Sequence, residues 1–296
     1  MKQDVAYEVL EVTGKDMALV ATRNIEAGER IMASTASIMV DRNLIKHVPE
    51  TLIDLEVGAI DSLPEEHRRE YLNLSTHYHT TEHSERISRI ILYNSFDISL
   101  DEVLGGVQDN LTEFRFKPNA GYHFDIDTFT HNVYAVRPIF AGEEITTSYI
   151  DPVRTREERS QQLEQSWHFK CSCPSCSQKR EMIAVSDARV LQIQYLQEQL
   201  RNGILAPSTA TGMAELLISL YEQEGLWLVI DEAYTLAALQ YNGIGEPWLA
   251  MKYARLAIQS GIRSSGIMDK YVRDNMALAE NPWEHWSWMA KSRPHW

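Results

Sequence analysis

Cysteine is scarce in this sequence: three residues in 296, all falling between positions 171 and 176. Thiols so few and so clustered do not fit a disulfide-stapled extracellular scaffold. Basic side chains are also in deficit, with 28 Lys plus Arg against 42 Asp plus Glu and a net charge of -14. A phosphate backbone is gripped mainly by clustered cations, so direct nucleic-acid binding is not expected. Long apolar runs are missing as well. Uncharged stretches such as residues 32–40 fall far short of the roughly 20 residues of a membrane-spanning helix, so no membrane partner is expected. The opening MKQDVAYEVLEV alternates like a strand and lacks a signal-peptide apolar run. The expectation is a soluble intracellular protein, nuclear, cytoplasmic or both.

What is present suffices for a folded core. At 44% hydrophobic and 24% charged residues, disorder is a poor reading, and the length suggests about two domains. Residues 1–180 hold 19 basic and 29 acidic side chains. That imbalance would attract a basic peptide; it equally describes a solvated acidic surface.

Periodicity divides the chain. Residues 5–40 read as short strands separated by TGKD and Gly turns. Between residues 42 and 90, apolar residues recur three and four apart behind prolines, a helical pattern. Strands are predicted again at 121–124, 132–137 and 144–149, followed by a charged helix, RTREERSQQLEQSW. From residue 183 onward the pattern is helical. Breaks at Asn202-Gly203, Pro207, Gly225, Gly243 and Gly261 predict antiparallel helices. Residues 233–258 place small side chains where paired helices must approach, resembling a single tetratricopeptide unit. A plain helical hairpin accounts for the same pattern.

Cys171, Cys173 and Cys176 form a CxCxxC run. A short loop with this spacing can wrap thiolates around zinc at about 2.3 Å, the alternative being unligated surface thiols. A closed structural site needs a fourth donor, for which His168 and His123 are candidates, as are Asp, Glu or water.

The block VYAVRPIFAGEEITTSYID at 133–151, followed by WHFKCSCPSC at 167–176, resembles the C-terminal half of a SET domain with its post-SET zinc loop. NSFDI at 94–98, KPNAGYHF at 117–124 and the strands of 7–40 resemble the same family of protein lysine methyltransferases. The helical tail is similar to that of the SET-and-MYND subfamily and its fungal relatives, although the MYND cysteines are absent. The resemblance implies an α+β, SET-type β-rich fold over residues 1–150 with a helical insert at about 42–90. A post-SET zinc segment at 151–180 and a helical, tetratricopeptide-like C-terminal domain at 181–296 complete it.

The same resemblance implies transfer of a methyl group from S-adenosylmethionine to a lysine of a protein such as a histone tail. A monomer is expected. Tyr149 stands where the family keeps its catalytic tyrosine, which also borders the cofactor. Asn94 matches a cofactor-contacting asparagine, and Phe169 an aromatic walling the cofactor and lysine channel. Lys15, Asp16 and Met17 occupy the place of a glycine-rich cofactor loop, with Asp16 and Ala18 adding side chains where glycine is usual. A larger departure lies between Phe116 and Lys117, where the family's Asn-His-Ser-Cys is missing. It removes two cofactor contacts and the fourth thiolate. Two readings follow: an active methyltransferase, or a catalytically impaired SET fold that serves as a protein-binding module.

Overall fold

A computed structural model describes residues 5–12, 16–39, 49–74, 76, 80–94, 118–148, 150–167, 170, 171, 173–201 and 207–291. Alternating apolar residues give two short strands, β1 (Tyr7–Val12) and β2 (Asp16–Ala21), paired antiparallel from Tyr7 opposite Ala21 to Val12 opposite Asp16. A second sheet contains β3 (Arg30–Thr35), β4 (Ala120–Asp125) and β5 (Thr130–Ala135) in the order β3-β5-β4. Ala6, Ala21, Ile25, Ile31, Val133 and Ile139 form a buried cluster between these strands and their turns. The expected strand over 144–149 is reduced to an isolated bridge between Glu144 and Val20. Its neighbour Ile145 still donates its N–H to the Leu19 carbonyl at 2.7 Å.

The chain divides into two compact units. One comprises residues 34–99 and 126–131. Its helices are α1 (Pro49–Asp61), α2 (Glu65–Leu72) and α3 (His83–Asn94), within the stretch expected to be helical. Ile60, Ile87 and Ile90 are fully buried there, and Ser88 Oγ donates to Glu56 Oε2 at 2.9 Å.

The other unit holds residues 1–33, 100–125 and 132–296. Helix α4 (Arg156–Trp167) precedes the cysteines. Then come α5 (Arg180–Arg201), α6 (Pro207–Glu224), α7 (Ile230–Gly243), α8 (Pro247–Ser264) and α9 (Lys270–Glu280). Ile193, Leu196, Leu217, Tyr221, Leu226 and Ala233 belong to its main apolar core. Ala250, Ala254 and Ala257 let α8 lie close to α7. Gly225 ends α6 in the left-handed region at φ 64°, as the sequence suggested. Gly261 does not end α8. A β-carbon there would come within 2.7 Å of Val272 Cγ2, so this glycine permits close packing of α9 inside an unbroken helix. The turn falls at Gly266, φ 88°. Among the described residues, no helix is long and apolar enough to cross a membrane.

Candidate functional site

The segment leading to residue 149 is held from beneath by one buried amide. Asn119, 1% exposed, precedes β4. Its Nδ2 donates to the Glu144 carbonyl at 2.8 Å and to Glu143 Oε1 at 3.2 Å. Its Oδ1 accepts from the Thr146 N–H at 2.8 Å and from the Thr146 hydroxyl at 3.3 Å. The Asn119 and Ala120 N–H groups both donate to the Thr146 carbonyl. Asn119 thus acts as an extra ladder rung where residues 143–146 are too irregular for a strand. Arg137 Nη2 donates to the same Glu143 oxygen at 2.5 Å. Burial alone would raise the Glu143 pKa, but the hydrogen bonds from Arg137, Phe140 N–H and Asn119 together leave it lowered.

Beyond this clasp, Ser148 Oγ donates to the Ile150 carbonyl at 3.0 Å, and Ile150 is buried. Asp151 Oδ1 caps the Val153 N–H at 2.8 Å, while Gln194 of α5 donates to the Val153 carbonyl at 2.8 Å. The chain therefore leaves the β region pinned to the helices. A polar cleft of about 370 Å³ opens here, bordered by Asp151, Arg154, Glu158, Arg201 and Glu232. At its floor Gln197 Nε2 donates to both Tyr221 Oη and Glu232 Oε2, each at 2.8 Å. Arg201 pairs with the other Glu232 oxygen. Burial, with the neighbouring carboxylate of Glu232, raises the Tyr221 pKa well above the phenol range.

The three sulfurs of Cys171, Cys173 and Cys176 lie within 4.8 Å of one another. The edge of a thiolate tetrahedron with zinc–sulfur bonds of about 2.3 Å is roughly 3.8 Å, so the donor set fits zinc. A tight turn makes this possible, the Cys176 and Ser177 N–H groups both donating to the Cys173 carbonyl at 3.0 Å. Thiol contacts from Cys171 and Cys176, then the N–H groups of Cys176 and Ser175, hold Cys173 far below the ordinary thiol range. The same contacts push Cys176 upward. Such a cluster favours a thiolate at Cys173. Arg159 of α4, 2% exposed, brings a guanidinium to it, hydrogen-bonded to Cys176 and to the Arg154 carbonyl. Among the described residues no fourth donor joins the three sulfurs. His123 is placed elsewhere, stacked on Tyr134 with centroids 5.3 Å apart and its pKa lowered by burial.

Of the other sequence-derived candidates, Asp16 and Met17 open β2. Asn94 ends α3 half-buried, its Nδ2 donating to the Ile90 carbonyl at 2.9 Å. Lys15, Tyr149, His168, Phe169 and the Phe116–Lys117 junction lie outside the described residues. Sequence reasoning passed over Asn119, Arg159 and the Gln197–Tyr221–Glu232 network. Asn119 sat within the KPNAGYHF match, and a signal existed for Arg159 as well. Spaced four residues from the apolar Leu163, itself 4% exposed, it shares that residue's inward helix face.

The SET domain family model matches residues 16–150. These residues of the chain therefore carry a SET domain. A histone-lysine N-methyltransferase, set5 of Schizosaccharomyces pombe, is 28% identical over 193 residues, which is 64% of this chain and 56% of that protein. The N-lysine methyltransferase SMYD2-B of Xenopus laevis is 44% identical over 59 residues, 20% of this chain and 14% of its own length. The histone-lysine N-methyltransferase SET5 of Scheffersomyces stipitis is 36% identical over 73 residues, 23% of this chain and 15% of that protein. The chain thus spans little more than half the length of the first of these relatives and far less of the others.

Proposed function

We propose that this protein is an S-adenosylmethionine-dependent protein-lysine N-methyltransferase acting on a basic protein such as a histone tail. The observation that carries the reading is the SET match over residues 16–150. The Asn119 clasp, immediately ahead of Tyr149 in the chain, supports it. S-adenosylmethionine supplies an electrophilic methyl group on a sulfonium. The protein must present a neutral lysine amine in line with that methyl and keep water out, so most of the rate comes from orientation and fixed dipoles. In this reading the Tyr149 hydroxyl orients the amine, and Asn94, Phe169, Lys15, Asp16 and Met17 border the cofactor. Cys171, Cys173 and Cys176 hold zinc, which pins the segment carrying Phe169.

A second reading, a catalytically impaired SET fold that binds a protein partner, is favoured by the absence of Asn-His-Ser-Cys between Phe116 and Lys117. In either reading we take the post-SET segment as 151–180 and the C-terminal helices as tetratricopeptide-like. We take the protein as a monomer in the nucleus, the cytoplasm or both, with no direct nucleic-acid ligand. Calorimetry with S-adenosylmethionine, followed by tritium transfer to core histones, tests the choice. Binding with transfer supports the enzyme, and Tyr149→Phe should then fold normally and abolish transfer. Binding of neither cofactor nor methyl acceptor supports the module.

A further inference from the structure

A second cleft, of about 260 Å³, lies between the β turns and the C-terminal helices. It belongs to neither the polar cleft nor the cysteine cluster. Its helical wall is apolar and aromatic, with Trp227, Ile230, Tyr234 and Leu256; Ala27 and Val136 face it from the β side. Two arginines border it and no Asp or Glu does, although acidic residues outnumber basic ones by 42 to 28 in the chain. Arg137 is occupied by Glu143 and by the Pro138 carbonyl.

Arg263 is not so engaged among the described residues. It is partly buried against the Gly28 turn, where a β-carbon would come within 2.8 Å of its Nε. It forms no hydrogen bond or ion pair with any described residue, and no neighbouring charge offsets the burial that lowers its pKa. Trp227 and Tyr234 add an N–H and an O–H that also lack partners among the described residues. Donors therefore exceed acceptors around an apolar hollow. A half-desolvated guanidinium with its fork vacant matches a planar carboxylate, and the apolar walls match a hydrocarbon body attached to it.

We propose that this cleft binds a carboxylate carried on an apolar body, with Arg263 taking the anion and Trp227, Ile230 and Leu256 taking the body. The same chemistry is offered by a free small acid and by the C-terminal end of a peptide with an apolar last residue. The proposal is independent of the methyltransferase reading.

Calorimetry on the full chain tests it with N-acetyl-leucine, N-acetyl-leucinamide, inorganic phosphate, and a Gly-Ser-Gly-Ser-Gly-Leu hexapeptide with a free or amidated end. The acid should bind at least tenfold more tightly than its amide or phosphate. Arg263→Gln should abolish binding and Arg263→Lys should retain part of it. Ala27→Leu, which fills the opposite wall and leaves the guanidinium in place, should weaken it at least fivefold while thermal unfolding stays unchanged. A free-ended hexapeptide that binds tenfold more tightly than N-acetyl-leucine identifies a peptide terminus; equal or weaker binding identifies a free acid. Equal binding of acid and amide, no binding of either acid at 10 mM, or full binding by Ala27→Leu overturns the proposal. Should Arg263→Gln fail to fold, the acid–amide comparison and Ala27→Leu still decide it.

Discussion

Replacing Asn119 by alanine removes two 2.8 Å hydrogen bonds, one to the Glu144 carbonyl and one from the Thr146 N–H, in a site 1% exposed. Each bond contributes about 1 kcal/mol net, and a buried backbone group left without a partner costs about 1–3 kcal/mol. The weaker bonds to Glu143 and to the Thr146 hydroxyl add little at 3.2 and 3.3 Å. The expected loss is about 3 kcal/mol, measured as a lower urea midpoint with unchanged slope. Asn119→Asp separates the two halves of the clasp. It keeps an acceptor for the Thr146 N–H but turns a carboxylate oxygen toward the Glu144 carbonyl and Glu143. At neutral pH it should therefore be at least as destabilising as alanine, and it should recover on acidification as the new carboxyl protonates. A loss below about 1 kcal/mol for alanine, or an aspartate variant insensitive to pH, would refute the clasp.

Gly121→Leu should destabilise by about 2 kcal/mol or more, read as a lower melting temperature. Even the β-carbon would sit 2.7 Å from Leu228 Cδ1 and 3.3 Å from the Arg263 carbonyl. Cys173→Ser should remove bound zinc in a chelator-colour assay and lower thermal stability, since the metal's binding energy is folding energy; unchanged metal content would reject the ligand set. Asp231 lies with Oδ2 against Gly261, and burial followed by repulsion from Glu232 pushes its pKa up to about 7. A raised carboxyl pKa favours the fold below the unfolded value of about 4, and that contribution is lost as pH climbs toward 7. Asp231→Asn should thus gain stability over the parent between pH 4 and 7, by about 2 kcal/mol after screening by the side's partial exposure, and level off above. A pH-independent difference would refute it.

The strands and the insert helices were legible because their signals are local. YEVLEV alternates with period two and forms β1, and the apolar spacing of SERISRIILYN puts Ile87 and Ile90 inside α3. The cysteine cluster was legible because its three thiols lie within one turn of chain. Gly261 was misread because a glycine marks either a break or a close approach. Sequence alone does not reveal that Val272 fills the space its side chain would need. The strand expected over 144–149 shrank for a similar reason: its pairing partner for Thr146 is a side-chain amide 27 positions earlier. Buried polar residues such as Gln197 and Arg159 look like surface residues in composition, and only the fold supplies the Tyr221, Glu232 and Cys176 that satisfy them.

Three glycines explain why the β region and the C-terminal helices belong to one compact unit. Gly121 of β4 lets Leu228 and the Arg263 backbone approach the strand directly, and Gly28 receives the Arg263 side chain. Gly266, at φ 88°, turns the chain after α8 so that it meets the His123 ring, where a β-carbon would fall 2.9 Å away. All three approaches converge on residues 263–266, so the end of α8 is seated on β4 by backbone-level contact rather than by adaptable side chains. β4 begins one residue after Asn119, whose amide positions residues 143–146. A disturbance at the end of α8 therefore has a short path, through β4 and one buried amide, to the segment that leads into Tyr149. Under the methyltransferase reading, Gly266→Val, which both strains the left-handed turn and presses on His123, should lower melting temperature and weaken S-adenosylmethionine binding together. A variant that loses stability yet binds the cofactor with unchanged affinity would show that the helices support the fold without reaching the site.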